Sequence, residues 1–209
     1  MTNAPETVAD DARIDQVRAI FRRSIVVKEK LIADHAQTVV RIADLCARSI
    51  RNGGKIMLCG NGGSAADAQH LAAELLVRLR SEVNREALPA LALALDPSSI
   101  TACGNDYSFD VYYERMVRGL GRSGDVLIGI TTSGKSKNVL LALKAAGEMG
   151  IHRVGLLGGD GGPALALCDL ALTVPSKETG RIQESHIMIG HAVMELIEDA
   201  IVGHSAGRA

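Results

Sequence analysis

The sequence predicts an α/β protein: a three-layer α/β/α sandwich around a five-stranded parallel sheet, preceded by an N-terminal helical pair. From residue 55 onward, short apolar runs alternate with longer segments of helical periodicity. Strands that are apolar throughout need helices over both faces of a parallel sheet. Only 2% of the residues are aromatic, so aliphatic and small side chains must build the core. We expect a single domain over residues 1–209, with the N-terminal helices at about 10–52 and the α/β core at 55–203.

The predicted elements follow the apolar pattern along the chain. The first fifty residues show helical spacing with a break near Asp34, and Gly53 and Gly54 end the second helix. The predicted strands are 56–59, 90–95, 126–130, 153–157 and 169–174. The later predicted helices are 65–80, 98–120, 137–149, 163–167 and about 180–202. In the flavodoxin-like strand order 2-1-3-4-5, the loops after the first and third strands flank one crevice.

Charge and cysteine content exclude several classes of function. The chain has 23 Lys and Arg against 24 Asp and Glu, a net charge of -1, and no basic stripe, so we expect no nucleic-acid partner. Its four cysteines are scattered without a CxxC pair, which excludes a structural zinc knuckle. No apolar run approaches the roughly 20 residues that span a membrane. Because residues 3–15 are also polar and acidic, we predict a cytoplasmic protein with no membrane contact.

The loop after the first predicted strand matches a relaxed dinucleotide-binding fingerprint. Gly60, Gly62 and Ala65 stand at the required spacing between a strand and a helix. The acidic residue expected about 20 positions later to bind a ribose is poorly placed, because Glu82 lies in a loop and Asp96 is too distant. We therefore expect the N–H groups of this loop to bind a simpler anion, such as a phosphate monoester.

The loop after the third predicted strand matches the Walker A pattern in full. Residues 129–136 read GITTSGKS, yet Gly129 lies inside the apolar strand rather than after it. The loop also contains three β-branched residues, which resist the positive φ of a phosphate nest. No hydrophobic strand ending in aspartate follows it. These departures disfavour a nucleotide triphosphatase, and hydroxyls at a helix N-terminus again favour a phosphate monoester.

Two pairs of polar residues on predicted helices could carry chemistry. His70 and Glu74 are four apart on the helix after the first loop, so they share one face of it, and Asp67 at its start is interpreted as complementing the helix dipole. Gln183 and His191 lie eight apart on the last helix, about 12 Å along its axis and about 80° around it. Alone, the first pair is more typical of a solvated helix face, and His191 is more typical of a hydrogen-bonded core histidine.

Several motifs taken together resemble the phosphoheptose isomerase family, whose members have the sugar isomerase (SIS) fold. The motifs are GNGGS at 60–64, DAQH at 67–70 with Glu74, GNDY at 104–107, GDVLIGI at 124–130 and RIQE at 181–184 with His191. They cover most of the chain in the family's order. The resemblance implies an aldose–ketose isomerase that converts sedoheptulose 7-phosphate to D-glycero-D-manno-heptose 7-phosphate through an enediol, the first step of ADP-heptose-type precursor synthesis.

The same resemblance assigns roles to individual residues. It implies Glu74 as general base, His191 as general acid, and one zinc ion per subunit bound by His70, Glu74, Gln183 and His191. It also implies a homotetramer with active sites at subunit contacts, and a set of residues that contact the sugar phosphate. These are Asn61, Gly62, Gly63, Ser64, Glu74, Asn105, Asp106, Thr131, Thr132, Ser133, Ser136 and Gln183. The chain departs from the family at Thr131, where a serine is usual.

Two other functions remain open from the sequence. One is an isomerase or deaminase acting on a different sugar phosphate. The other is a non-enzymatic SIS protein that binds a partner, a group that lacks the acid and base at the positions of Glu74 and His191. The N-terminal helices carry apolar residues on more than one face, which a lone sandwich could not cover. The sequence thus predicts self-association in any of these cases.

Overall fold

A five-stranded parallel sheet forms the centre of the molecule, as predicted. The computed structural model describes the backbone of residues 7–203 and the side chains of residues 12–203. The strand order is β2-β1-β3-β4-β5, and every neighbouring pair is parallel. The strands are β1 (Ile56–Gly60), β2 (Ala90–Ala92), β3 (Val126–Thr131), β4 (His152–Gly158) and β5 (Leu170–Val174). The two ends of the predicted domain lie outside the described residues.

Helices cover both faces of this sheet. They are α1 (Thr7–Arg51), α2 (Gly63–Leu76), α3 (Pro97–Asp106), α4 (Tyr112–Leu120), α5 (Lys137–Glu148), α6 (Gly162–Leu165) and α7 (Thr179–Val202). Alternate strand residues enter two separate cores: Leu58 and Ile128 pack with α1, α2 and α7, whereas Met57 and Leu127 pack with α4 and α5. This alternation follows from the two-residue period of a strand. The three-layer sandwich is therefore confirmed.

The predicted N-terminal helical pair is wrong: a single helix, α1, runs through the expected break near Asp34. Helices are broken most strongly by glycine and proline, and neither residue occurs between Thr7 and Arg51. A polar stretch at the break leaves the backbone free to continue, so only the apolar face is interrupted. The C-terminal half of α1 packs along α7 and the sheet, where Ile42 and Cys46 are buried.

Two later helices also end earlier than their periodicity predicts. Helix α2 stops at Leu76 because Arg85 donates to the carbonyls of Glu74 and Leu75, which ends the helical ladder. The segment predicted as one helix over 98–120 divides into α3, a 3₁₀ turn over Phe109–Val111, and α4. There the Ser108 hydroxyl accepts from the N–H of Asp110, an alternative that serine offers the backbone. No helix among residues 7–203 is both long and apolar enough to cross a membrane.

Candidate active site

The loop between β1 and α2 lies at the carboxyl end of the sheet, beside the strand at which the order reverses. Gly60 is closely surrounded: a Cβ there would lie 2.7 Å from the Ser64 Cβ and 2.9 Å from the Ile130 carbonyl. Gly62 adopts a φ of +56°, which side-chain-bearing residues rarely adopt. These glycines let the loop turn directly into α2, whose N-terminus is exposed.

Helix α2 presents His70 and Glu74 one turn apart, as the spacing predicts. The Nε2 atom of His70 lies 3.2 Å from Oε1 of Glu74. The His70 side chain is 49% exposed, whereas that of Glu74 is 15% exposed. The pair therefore sits at the rim of the molecule, with the carboxylate turned inward and the imidazole reaching toward solvent.

Helix α7 brings His191 to the same point. Nε2 of His191 lies 2.8 Å from Nε2 of His70, and the two rings meet edge to face. The approach of the helices depends on Gly190, because a Cβ there would lie only 2.5 Å from Cδ1 of Leu71. Glycine at this crossing thus allows α7 to come close enough to α2 for the two imidazoles to touch.

The three side chains form a set of donors that suits a divalent metal. His70, Glu74 and His191 each offer one ligand atom, and these atoms all lie within 4.8 Å of one another. Zinc binds imidazole nitrogen and carboxylate oxygen at about 2.0–2.2 Å, which sets neighbouring tetrahedral ligands about 3.4 Å apart. The observed separations of 2.8 Å and 3.2 Å are near this spacing. The residues present therefore fit a zinc ion.

Gln183, on the same helix as His191, hydrogen-bonds to Asp67. Its Nε2 atom donates to the two carboxylate oxygens of Asp67 at 3.3 Å and 3.5 Å. Burial raises the pKa of the Asp67 carboxyl above its ordinary value of 3.8, while the Gln183 hydrogen bond and the charges of His70 and His191 oppose that rise. Asp67 is thus a buried acid near His70 and His191, and Gln183 as a fourth metal ligand stays a prediction.

The loop between β3 and α5 presents hydroxyls beside a helix N-terminus. Thr131 is buried, and its Oγ1 lies 3.0 Å from Oγ of Ser136, so both hydroxyls help to shape the loop. The Ser133 hydroxyl accepts from the N–H of Lys135, and the residue is exposed. Gly134 has a φ of +64°, and a Cβ there would lie 2.0 Å from the Gly161 carbonyl. The Walker A match is therefore a tightly packed turn.

Known proteins are similar to this chain in sequence and in fold. A family model described as a SIS domain matches residues 20–158. The phosphoheptose isomerase of a Nitratiruptor species is 50% identical to this chain, over 82% of this chain and 97% of its own length. The chain belongs to the phosphoheptose isomerase family. The structure of phosphoheptose isomerase from Neisseria gonorrhoeae matches it with a TM-score of 0.83 at 46% identity, over 88% of this chain and 98% of that chain. That of Francisella tularensis matches with a TM-score of 0.85 at 35% identity, over 90% and 98% respectively.

The other residues that the phosphoheptose isomerase resemblance assigns to substrate binding lie in three segments. Asn61, Gly62, Gly63 and Ser64 form the first loop and the start of α2, and Thr132 and Ser133 lie in the second loop. Asn105 and Asp106 end α3, where the Asn105 amide donates to Asp106 at 2.7 Å and both residues are exposed. Their contact with a sugar stays a prediction.

Buried polar residues help to build the site in ways that the sequence interpretation missed. The role of Asp67 goes beyond a helix dipole, and its three-residue spacing from His70 is the signal that both face the same way. Asn138 is buried and hydrogen-bonds to Asn61. Tyr113 is buried and donates its hydroxyl to the Gly60 carbonyl. The last two contacts join distant segments, which no local pattern indicates.

Proposed function

We propose that this chain catalyses the isomerisation of sedoheptulose 7-phosphate to D-glycero-D-manno-heptose 7-phosphate. The observation that carries the proposal is the meeting of Glu74 with His70 and His191 at the crossing of α2 and α7. Helix α2 begins at the first anion-type loop, and the second such loop follows the neighbouring strand β3. The two phosphate-type loops lie at the carboxyl edge of the sheet, and helix α2 leads from the first of them to the proposed base.

The loops supply binding. The hydroxyls of Ser133 and Thr132, with the N-terminus of α5, offer donors to a dianionic phosphate, and the helix dipole favours the negative charge there. This interaction holds the substrate by a group that does not react. It leaves the sugar chain to extend toward α2, where Glu74 lies.

The acid and base supply the proton transfers. In the ketose, Glu74 removes a proton from C1 while His191 gives a proton to the C2 carbonyl oxygen, which forms the enediol. Glu74 then returns the proton to C2, and His191 takes one from the C1 hydroxyl as the aldehyde forms. Atoms balance over the two steps, and both residues end in their starting protonation states.

We infer that zinc is bound at this site by His70, Glu74, Gln183 and His191. The close approach of three of these side chains, whose ligand atoms all lie within 4.8 Å of one another, supports this inference. When bound, zinc supplies Lewis-acid polarisation of a carbonyl oxygen. A carboxylate that donates its lone pair to a metal is a weaker base, so Glu74 needs a carboxylate oxygen turned to the sugar while it serves as base. A histidine that binds zinc through Nε2 can move a proton only through Nδ1, so His191 would act as acid through Nδ1 when zinc is bound.

We further propose a homotetramer with active sites at subunit contacts. Exposed apolar side chains support this proposal: Phe21 and Ile32 on α1 are 64% and 69% exposed. Val77, three residues beyond Glu74, is 70% exposed. Apolar surface of this kind beside an open site is typical of an interface that a second copy completes. A cytoplasmic location stays a prediction from the sequence.

Incubation of the purified protein with sedoheptulose 7-phosphate tests the function directly. We expect the aldose to appear, with solvent deuterium incorporated at C2. Glu74 holds the transferred proton while the enediol exists, and that proton can exchange with solvent. Release of ammonia from an amino-sugar phosphate would instead indicate a deaminase. Absence of turnover with a panel of sugar phosphates would favour the partner-binding alternative.

A further inference from the structure

A reciprocal pair of amide hydrogen bonds joins the residue after β1 to the start of α5. Nδ2 of Asn61 donates to Oδ1 of Asn138 at 2.9 Å, and Nδ2 of Asn138 donates back to Oδ1 of Asn61 at 2.8 Å. The two residues are 77 positions apart. Asn61 follows β1 directly, and Asn138 is the second residue of α5, which follows the β3 loop. The pair therefore spans the crevice where the strand order reverses.

Asn138 uses its polar atoms for this contact. Its side chain is buried, with the residue 3% exposed, and its Oδ1 accepts from the N–H of Val139 as well as from Asn61. Burying an amide costs free energy unless its hydrogen bonds are remade. An apolar side chain would suit a position whose only role was packing. The amide is needed because its partner, Asn61, presents one donor and one acceptor.

Asn61 in turn controls where α2 begins. Its carbonyl accepts from the N–H of Ser64 at 3.1 Å, in the turn that opens the helix. The preceding Gly60 is itself fixed by the Tyr113 hydroxyl on its carbonyl. A shift of Asn61 would thus move the start of the helix that carries His70 and Glu74.

We propose that Asn138 is a positioning residue that acts through Asn61, fixing the β1 and β3 loops at one separation. This inference rests on the proposed isomerase. Both polar atoms of the Asn61 amide bond to Asn138, so the main role of this amide is to fix the positions of the loop N–H groups and of the start of α2. The phosphate at the β3 loop and the sugar carbons at Glu74 then lie at a constant distance.

A double-mutant cycle tests the pair. Asn61→Ala, Asn138→Ala and the double variant are compared for kcat/KM with the sugar phosphate and for the Kd of inorganic phosphate by calorimetry, with Asn52→Ala, an exposed turn residue, as control. Each single change should lower kcat/KM by about 10-fold, the usual effect of an unpaired buried amide, and the double variant by about the same factor. Multiplicative losses of about 100-fold would overturn the proposal. The Kd of inorganic phosphate can be measured without turnover. If the proposed reaction fails, the Kd values of the four proteins still give the coupling between Asn61 and Asn138.

Asn138→Asp supplies a second readout that a structural role alone would not move. The carboxylate can accept from Asn61 but cannot donate to it, whereas the protonated acid can do both. Relative to wild type at each pH, activity of this variant should rise as the pH falls toward the carboxyl pKa. Circular dichroism and thermal unfolding confirm that each variant is folded. A ratio to wild type that stays flat between pH 8 and about pH 5 would contradict the role assigned to the amide.

Discussion

Nε2 of His70 lies 2.8 Å from Nε2 of His191, although the two residues are 121 positions apart. The two nitrogens cannot both be donors in this contact, so the pair requires either one shared proton or one shared cation. Glu74 adds a carboxylate oxygen 3.2 Å from the same nitrogen of His70. The relationship ties the proposed acid, the proposed base and the proposed metal to one point on the surface, and the predictions below separate them.

Removing the base or the acid should slow turnover far more than it weakens binding. Glu74→Gln keeps an oxygen ligand of the same size, and His191→Gln removes the imidazole while the loops stay intact. Each should lower kcat by about 100-fold or more, the usual contribution of a positioned acid or base. Steady-state kinetics measures this, with Lys144→Ala on the exposed side of α5 as control. Turnover near wild type in both variants would exclude the mechanism and favour a partner-binding protein.

The β3 loop should show the opposite pattern. Ser133→Ala removes an exposed hydroxyl proposed to bind phosphate, an interaction present equally in the ground state and the transition state. We expect KM to rise by about 10-fold with kcat little changed. Lys135→Ala, in the same loop but without a proposed hydroxyl contact, is the comparison. A fall in kcat at constant KM would place Ser133 in the chemistry instead.

The metal can be tested independently of activity. Elemental analysis of the purified protein should find about one zinc ion per chain, and His70→Ala should reduce that content several-fold because it removes a nitrogen ligand. Gln183→Ala decides whether the amide is a fourth ligand. If Gln183→Ala contains as much zinc as wild type, the amide is not a ligand, and its role is the hydrogen bond to Asp67. Equal zinc in wild type and His70→Ala would refute the site.

Acid should destabilise the protein partly through His186. This residue is fully buried, and Nε2 lies 3.0 Å from the Leu157 carbonyl. Burial lowers the pKa of its imidazole below the ordinary value of 6.5, against a smaller opposing effect of that hydrogen bond. Below about pH 6.5 the imidazole therefore binds a proton in the unfolded chain but not in the folded chain. The contribution of His186 to the free energy of unfolding is full above that pH and falls as the pH drops below it. In thermal unfolding between pH 7.5 and 5.5, His186→Gln should show a shallower loss of Tm than wild type. Parallel curves would contradict this account.

Assembly should depend on the exposed face of α1. Light scattering at micromolar concentration should give a mass of four chains. Phe21→Asp with Ile32→Asp should reduce that mass, because each places a charge on apolar surface that a partner would bury. Leu165→Asp changes an exposed apolar residue on the opposite face of the sheet and should leave the mass intact. A monomer in the unmodified protein would overturn the tetramer.

Much of the fold could be predicted from local pattern alone. The apolar runs identified all five strands, and their alternation with helices identified a parallel sheet. A strand that is buried on both faces is apolar along its whole length, so it can be recognised from its own sequence. The i, i+4 spacing placed His70 and Glu74 together, since helix geometry is the same everywhere. The glycine-bearing loops marked the carboxyl edge of the sheet.

Two features that the periodicity did not predict have local causes: α1 contains no glycine or proline near Asp34, and the Ser108 hydroxyl caps a turn within residues 98–120. Tertiary structure decided the contacts that build the site. The 2.8 Å contact of His70 with His191 depends on how closely α7 crosses α2, which Gly190 permits. The amides of Asn61 and Asn138 meet only because β1 and β3 are neighbours in the sheet. Periodicity records which face of a segment is buried, whereas contacts between distant segments arise from how those faces pack, and that packing belongs to the whole chain.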